Sequence, residues 1–280
     1  MANPFLTPYS SVRMPFLRKS ASRVSGVLAA TLSVVGCEST LDVPSNQLTW
    51  GFIQTGALAQ TGGTYVTTPN GQFFVGNLSS IPDSRVKPDS CVELTITSQN
   101  PLQVTFLDAG AAITTQFGTR TDTLPRVSTS NGTSYQKSAP ISFRPGDSLF
   151  VRIPGANGGF PAAEIRAKTA EAFTLDSLII RPSPAAVQLR WTPATDGNSS
   201  LVVEFRYSST GGSTFNQLIR CAFVDDGADS VAFRVMQPWV GQNPNARNAT
   251  YTRLRTNIVQ ILEGWLEVIS TFSVPTPSSP

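Results

Sequence analysis

The sequence predicts an all-β protein built of two antiparallel β-sandwich domains. Three observations carry that expectation. Charged residues make up only 14% of the 280 residues, against about 25% in an ordinary soluble protein. Glycine and proline number 21 each, and these turn-formers punctuate runs rich in Val, Ile, Thr and aromatic residues. Several of those runs alternate apolar and polar side chains with period two, the pattern of strands buried on one face.

Taken in order, residues 38–47 (ESTLDVPSNQ) read as a polar tether, and strands follow. Residues 48–53, 64–68 and 72–75 are short β-rich runs. The last two are expected to pair as a hairpin across Pro69-Asn70-Gly71, because Asn-Gly suits a tight hairpin turn. Residues 91–97 place Val92, Leu94 and Ile96 on one face and Glu93, Thr95 and Thr97 on the other. Residues 102–107 repeat the alternation through Leu102, Val104 and Phe106. Further strands are expected at 111–117, 123–128 and 148–153, the last entered through a Pro-Gly-Asp turn. Residues 162–172 (AAEIRAKTAEA) concentrate helix formers and read as one or two helical turns or as a loop between sheets. A strand over 173–181 closes the first domain.

Pro182-Ser183-Pro184 reads as a stiff connector, since proline fixes its own backbone and extends the residue before it. The expected organisation is a signal peptide over 1–36, an anchor cysteine and tether over 37–47, and a β-sandwich over 48–182. A smaller sandwich of immunoglobulin-like size follows over 183–274, with a disordered tail over 275–280. Strands of the second domain are expected at 186–191, 201–207, 215–224 and 230–235. Residues 251–261 and 265–274 are expected to form a terminal hairpin. A helix competes there, because Ile258, Ile261, Leu262, Trp265 and Ile269 fall at helical spacing. Leu266, Val268, Phe272 and Val274 share a strand face, and the wealth of Val, Ile and Thr favours β.

The N-terminus carries the parts of an export signal. Arg18, Lys19 and Arg23 precede a 13-residue apolar stretch over 24–36, shorter than the roughly 20 residues that span a bilayer. It ends in Leu32-Ser33-Val34-Val35-Gly36-Cys37. This resembles the lipobox of bacterial lipoproteins, in which aliphatic and small residues lead to a cysteine. The resemblance covers the first 37 residues. It implies that Cys37 receives a diacylglycerol, becomes the N-terminus after cleavage and is acylated again, holding the protein to a membrane. Glu38, where Asp would favour the inner membrane in enteric bacteria, points to the outer one. A start at Met14 would give a leader of more usual length.

Composition excludes several chemistries. Residues 1–36 contain Arg13, Arg18, Lys19 and Arg23 and no acid; without those four, 17 basic face 18 acidic residues, a net of −1. A nucleic-acid partner is therefore not expected. The chain has no histidine, which removes the histidine base and the usual histidine-containing zinc sites. No cofactor motif stands out. Gly146-Asp147-Ser148-Leu149 spells the tag of a hydrolase family, but that serine needs a histidine base; Ser148 reads as an outward residue entering a strand. Asp225, Asp226 and Asp229 around Gly227 are weak calcium candidates in what reads as an ordinary turn. Cys91 and Cys221 are expected as separate buried thiols in different domains, with a bond between the domains as the alternative. Trp191 and Trp265 read as core; Trp239, in a loop-like Gln-Pro-Trp context, is the candidate exposed aromatic for ligand binding.

The leading expectation is a non-catalytic envelope lipoprotein that binds an unknown protein or glycan, or organises the envelope. Carbohydrate binding on exposed aromatics is the second. A glycosidase using two carboxylates is the third, drawn from Glu93, Glu164, Glu171, Glu204, Glu263 and Glu267.

Overall fold

The computed structural model describes residues 47–60, 63–77, 88–96, 104–129, 132–182, 185–262 and 264–274. The expected signal peptide, Cys37, most of the tether, Ser183-Pro184 and the tail lie outside the described residues. Strands of the first half are β1 (Gln47–Leu58), β2 (Tyr65–Thr67), β3 (Asn70–Asn77), β4 (Ser90–Thr95), β5 (Val104–Phe106), β6 (Ala112–Phe117), β7 (Arg120–Thr129), β8 (Gly132–Gln136) and β9 (Ile141–Phe143). They are followed by β10 (Ser148–Ile153), β11 (Ala163–Lys168), β12 (Leu175–Pro182), β13 (Ala185–Trp191), β14 (Ser199–Tyr207), β15 (Gln217–Val224) and β16 (Ala228–Ala232). Helix α1 (Phe233–Val240) then leads to β17 (Arg247–Ile261) and β18 (Gly264–Val274). With one α-helix among the described residues, the protein is all-β.

One large sheet runs β11-β10-β6-β7-β8-β3-β1-β18-β17-β14-β15-β4, with β5 also beside β3. A three-stranded sheet, β12-β13-β16, and the pair β2-β9 complete the fold. The pairing of β1 with β18 is parallel; the other ladders are antiparallel.

Two cores lie between β-layers. In the first, Val187, Leu189 and Trp191 of β13 and Met236 and Trp239 of α1 pack on Leu201, Val203, Phe205, Ile219, Tyr251 and Phe272 of the large sheet. In the second, Ile113, Leu124, Leu149, Val151 and Ile165 of the sheet's other wing close over Ile53, Phe73, Leu266 and Val268. The long strands β1 and β18 thus serve both cores, Ile53 and Leu266 in one, Ala57 and Phe272 in the other.

Strand pairing crosses the division expected at Pro182. β12 and β13 pair from Leu175↔Trp191 to Pro182↔Ala185, so residues 183–184 join two strands of one ladder. β4 of the first half pairs with β15, and β1 pairs with β18.

Two local expectations are corrected. Residues 163–168 form β11 rather than helical turns or a loop. Ile165 is buried opposite Val151, while Glu164, Arg166 and Lys168 are exposed. Helix preference separates these residue types by at most about 0.7 kcal/mol each; burying Ile165 contributes about 1.5–3 kcal/mol and comes with a six-residue ladder. Asn70 and Gly71 lie inside β3, opposite Gln54 and Ile53 of β1, and β2 pairs with β9 instead. A Cβ on Gly71 would sit 2.8 Å from Ile53 Cδ1 and 3.0 Å from Ile113 Cδ1, so this glycine makes room in the second core.

The terminal hairpin forms as β17 and β18, from Tyr251↔Val274 to Ile261↔Gly264. The strand expected over 230–235 ends at Ala232, where α1 begins.

Candidate functional site

Asp225, the first of the calcium candidates, is wholly engaged. It follows β15 and is buried, with Arg253 of β17 donating from Nε to Oδ2 at 2.6 Å and from Nη2 to Oδ1 at 2.9 Å. Trp191 Nε1 and Ser199 Oγ also donate to it, at 2.8 and 2.9 Å. Asp226 points to solvent, and Asp229 is half-buried. Burial holds the Asp229 carboxyl above its ordinary value; the Ser230 N–H opposes this, and the carboxylates of Asp89 and Asp226 reinforce it. Among the described residues, no three His, Cys, Asp or Glu side chains are grouped to hold a metal ion.

Trp239 is not an exposed aromatic. Its ring is buried in the first core, edge-on to Phe205 at 5.1 Å, with the Arg247 guanidinium 4.5 Å over its face. Its Nε1 donates to Asn248 O at 2.9 Å. The signal was present in the sequence: Met236, Trp239 and Val240 share one side of a helical turn.

Cys91 and Cys221 are joined in a disulfide rather than standing as separate thiols. They occupy directly opposed positions of β4 and β15, a juxtaposition set by strand pairing distant in sequence. Beside the bond, Tyr207 donates its hydroxyl to Glu93 Oε1 at 2.5 Å. Burial, with the Glu93 carboxylate behind it, pushes the Tyr207 hydroxyl up to about 12.

The carboxylates considered for glycoside chemistry are dispersed. Glu93 meets Tyr207 on the core face of the sheet, whereas Glu204 lies on the opposite face with Arg206 at 2.6 Å and Arg220 at 3.9 Å. Glu164 pairs with Arg152 at 3.3 Å across β10 and β11, and Glu171 accepts from Thr195 N and Oγ1. Glu267 is buried on β18, and Glu263 lies outside the described residues. Ser148 is exposed at the first position of β10, with Leu149, Val151 and Ile153 inward.

The outer face of β1, β3 and β18 carries an aromatic strip that the sequence did not reveal. Trp50 stacks on Phe52 at 5.7 Å and on Trp265 at 6.4 Å, and Phe52 stacks on Phe74 at 5.5 Å. The parallel register Trp50↔Trp265 and the antiparallel register Trp50↔Phe74 bring these distant residues together. Trp50, Phe52 and Phe74 are buried, and Trp265 is half-buried. Their faces are spent on one another, whereas a sugar platform needs rings open to solvent. Nearby, a cleft of about 260 Å³ opens between the turn at Gly197 and Asn198 and the side chains of Val202, Leu254 and Thr256. The Thr256 hydroxyl is buried there without a hydrogen-bond partner. The cleft falls below the roughly 300 Å³ of ordinary small-molecule pockets.

The end of the sheet at which β1 begins is the end from which the chain runs back to Cys37. Gly264 opens β18 there, opposite Thr49. A Cβ at that position would lie 2.1 Å from Thr49 O, so the glycine permits the close parallel approach. The β17–β18 turn stands level with the start of β1, and Leu262 at its tip is 83% exposed. No family model matches this chain, and no curated protein matches it.

Proposed function

We propose that this protein is a lipid-anchored envelope lipoprotein with a non-catalytic binding or structural role. The observation that carries the reading is Leu32-Ser33-Val34-Val35-Gly36-Cys37 behind a basic and an apolar segment. A single acyl chain anchors marginally, while two or more hold stably, so a fully acylated Cys37 keeps the mature chain on a membrane. Glu38 directs it to the outer membrane. The partner is a protein or glycan of the envelope.

One feature supports the compartment. The Cys91–Cys221 bond suits an oxidising space outside the cytoplasm. No helix among the described residues is long and apolar enough to cross a membrane. Mass spectrometry of protein extracted from membranes tests the reading. The expected species begins at Cys37 and carries acyl chains, and Cys37→Ser moves the protein to the soluble fraction. A mature soluble chain beginning elsewhere overturns it.

A further inference from the structure

Leu262 occupies a position that neither the fold nor the turn explains. It links β17 to β18, and its φ of +28° lies in the left-handed region, where glycine and asparagine are at ease and leucine is not. Two-residue hairpin loops favour Asn-Gly or Asp-Gly for this reason. Here the loop is Leu262-Glu263. Packing gives leucine no return, because 83% of it is exposed.

An exposed leucine alone is ordinary; its surroundings distinguish this one. Val259 and Ile261 lead to the tip and lie half-buried against the second core. Trp50 and Trp265 stack just behind it, with Leu48 and Val104 packed against the same strip. An apolar apex backed by indoles is the order of residue types found across a bilayer interface. The location agrees. Thr49↔Gly264 and Trp50↔Trp265 set the tip level with the start of β1, and only residues 38–46 separate β1 from Cys37. Fully extended, nine residues reach about 32 Å at most, so a lipid on Cys37 confines this end of the molecule to the bilayer's neighbourhood.

We infer that the β17–β18 tip is a membrane-contacting element, in which Leu262 enters the boundary between headgroups and acyl chains and Trp265 lies at headgroup level. The inference rests on the lipoprotein reading, which supplies the bilayer. The contact is apolar rather than electrostatic, since Glu263 beside the tip is acidic; it therefore withstands high salt and does not require anionic lipid.

The test uses the acylated protein reconstituted into phosphatidylcholine vesicles whose acyl chains carry bromine, a short-range quencher of tryptophan emission. Trp191 and Trp239 are buried in the first core and stay unquenched. The expected result is partial quenching, of Trp265 and of Trp50 stacked on it, that is unchanged at high salt, falls at least twofold in Trp265→Phe and falls at least threefold in Leu262→Asn. Asparagine relieves the turn, so the thermal midpoint of Leu262→Asn equals or exceeds that of the parent, which separates lost contact from lost fold. Absence of quenching, or equal quenching in Leu262→Asn, overturns the inference. Mass spectrometry of the same sample reads Cys37 separately: an unacylated Cys37 overturns the lipoprotein reading, whereas an acylated protein whose quenching ignores Leu262 overturns only the tip.

Discussion

Arg253 and Asp225 form an ion pair inside the first core, Nε to Oδ2 at 2.6 Å, with 1% of each side chain exposed. The pair ties together strands far apart in sequence. Arg253 also donates to Thr192 O at 2.5 Å and to Ala172 O at 3.0 Å, while Asp225 accepts from Trp191 and Ser199. Removing one partner leaves the other charge buried and uncompensated, at a cost of about 3–5 kcal/mol. Arg253→Met is therefore expected to destabilise by that amount in urea unfolding. Adding Asp225→Leu removes the stranded charge, so the double variant loses less than the sum of the two single losses. Additive losses would show that the pair does not act as a unit.

The disulfide is the second large contribution. Cys91 and Cys221 are 130 residues apart, and closing a loop of that length restricts the unfolded chain by about 5 kcal/mol in the chain-entropy description. Cys91→Ala with Cys221→Ala is expected to lower stability by several kcal/mol without abolishing β-structure, because the β4–β15 ladder keeps its other pairs. Reductant should lower the parent's unfolding midpoint and leave that of the double variant unmoved.

Where a strand buries one face beside its sequence neighbours, the sequence shows it. Leu149, Val151 and Ile153 alternate with Ser148, Phe150 and Arg152, and β10 follows that pattern residue by residue. Leu201, Val203 and Phe205 of β14 also share a buried face, although Val202 between them is buried in a cluster of its own. What the sequence hides is pairing at a distance. Nothing local to Trp50 or Trp265 indicates that they stand side by side in a parallel ladder, yet that ladder builds the aromatic strip and sets Leu262 beside the start of β1. The disulfide was hidden for the same reason, since its two cysteines meet only once the register of β4 on β15 is known. Local signals also misled where one residue type serves two ends. Gly71 after Asn70 has the form of a turn, but its lack of a side chain serves the packing of Ile53 and Ile113.

Acid weakens a specific surface link. Arg255 holds Asp196 through two bonds, Nη1 to Oδ1 at 2.9 Å and Nη2 to Oδ2 at 2.8 Å, and these bonds keep the Asp196 carboxyl below its ordinary value of 3.8. The folded protein therefore binds that proton less readily than the unfolded chain does. The resulting stability is fully present above about pH 4 and is lost as pH falls through the depressed folded value. The pair is partly exposed, so its worth is no more than about 1 kcal/mol. Asp196→Asn should lower stability by up to that amount at pH 7, with a difference from the parent that shrinks below pH 3.8. A difference that stays constant across this range would remove the ionised pair as its cause.

The last expectation concerns autonomy of the C-terminal half. A fragment of residues 185–274 retains β13 to β18 and α1 but loses every strand that closes them from the first half. β18 loses ten residue pairs with β1, β15 loses its ladder with β4, and β13 loses β12. Three strands that are interior in the whole protein become open edges, which invite association with other chains. The first core loses Ala57, Phe143, Ala170 and Phe173, and Leu266 and Val268 lose the wing that covers them in the second core. Arg253 keeps Asp225 but loses the Ala172 carbonyl. With total stability of an ordinary domain near 5–15 kcal/mol, the loss of two buried phenylalanines alone, at about 3–5 kcal/mol each when truncated in a core, is enough to remove the folded state. The fragment should be insoluble or should lack a cooperative thermal transition under conditions where the whole mature chain shows one. A soluble fragment that unfolds cooperatively, with native-like strand content by circular dichroism, would establish the C-terminal half as an independent unit with a boundary near Pro182.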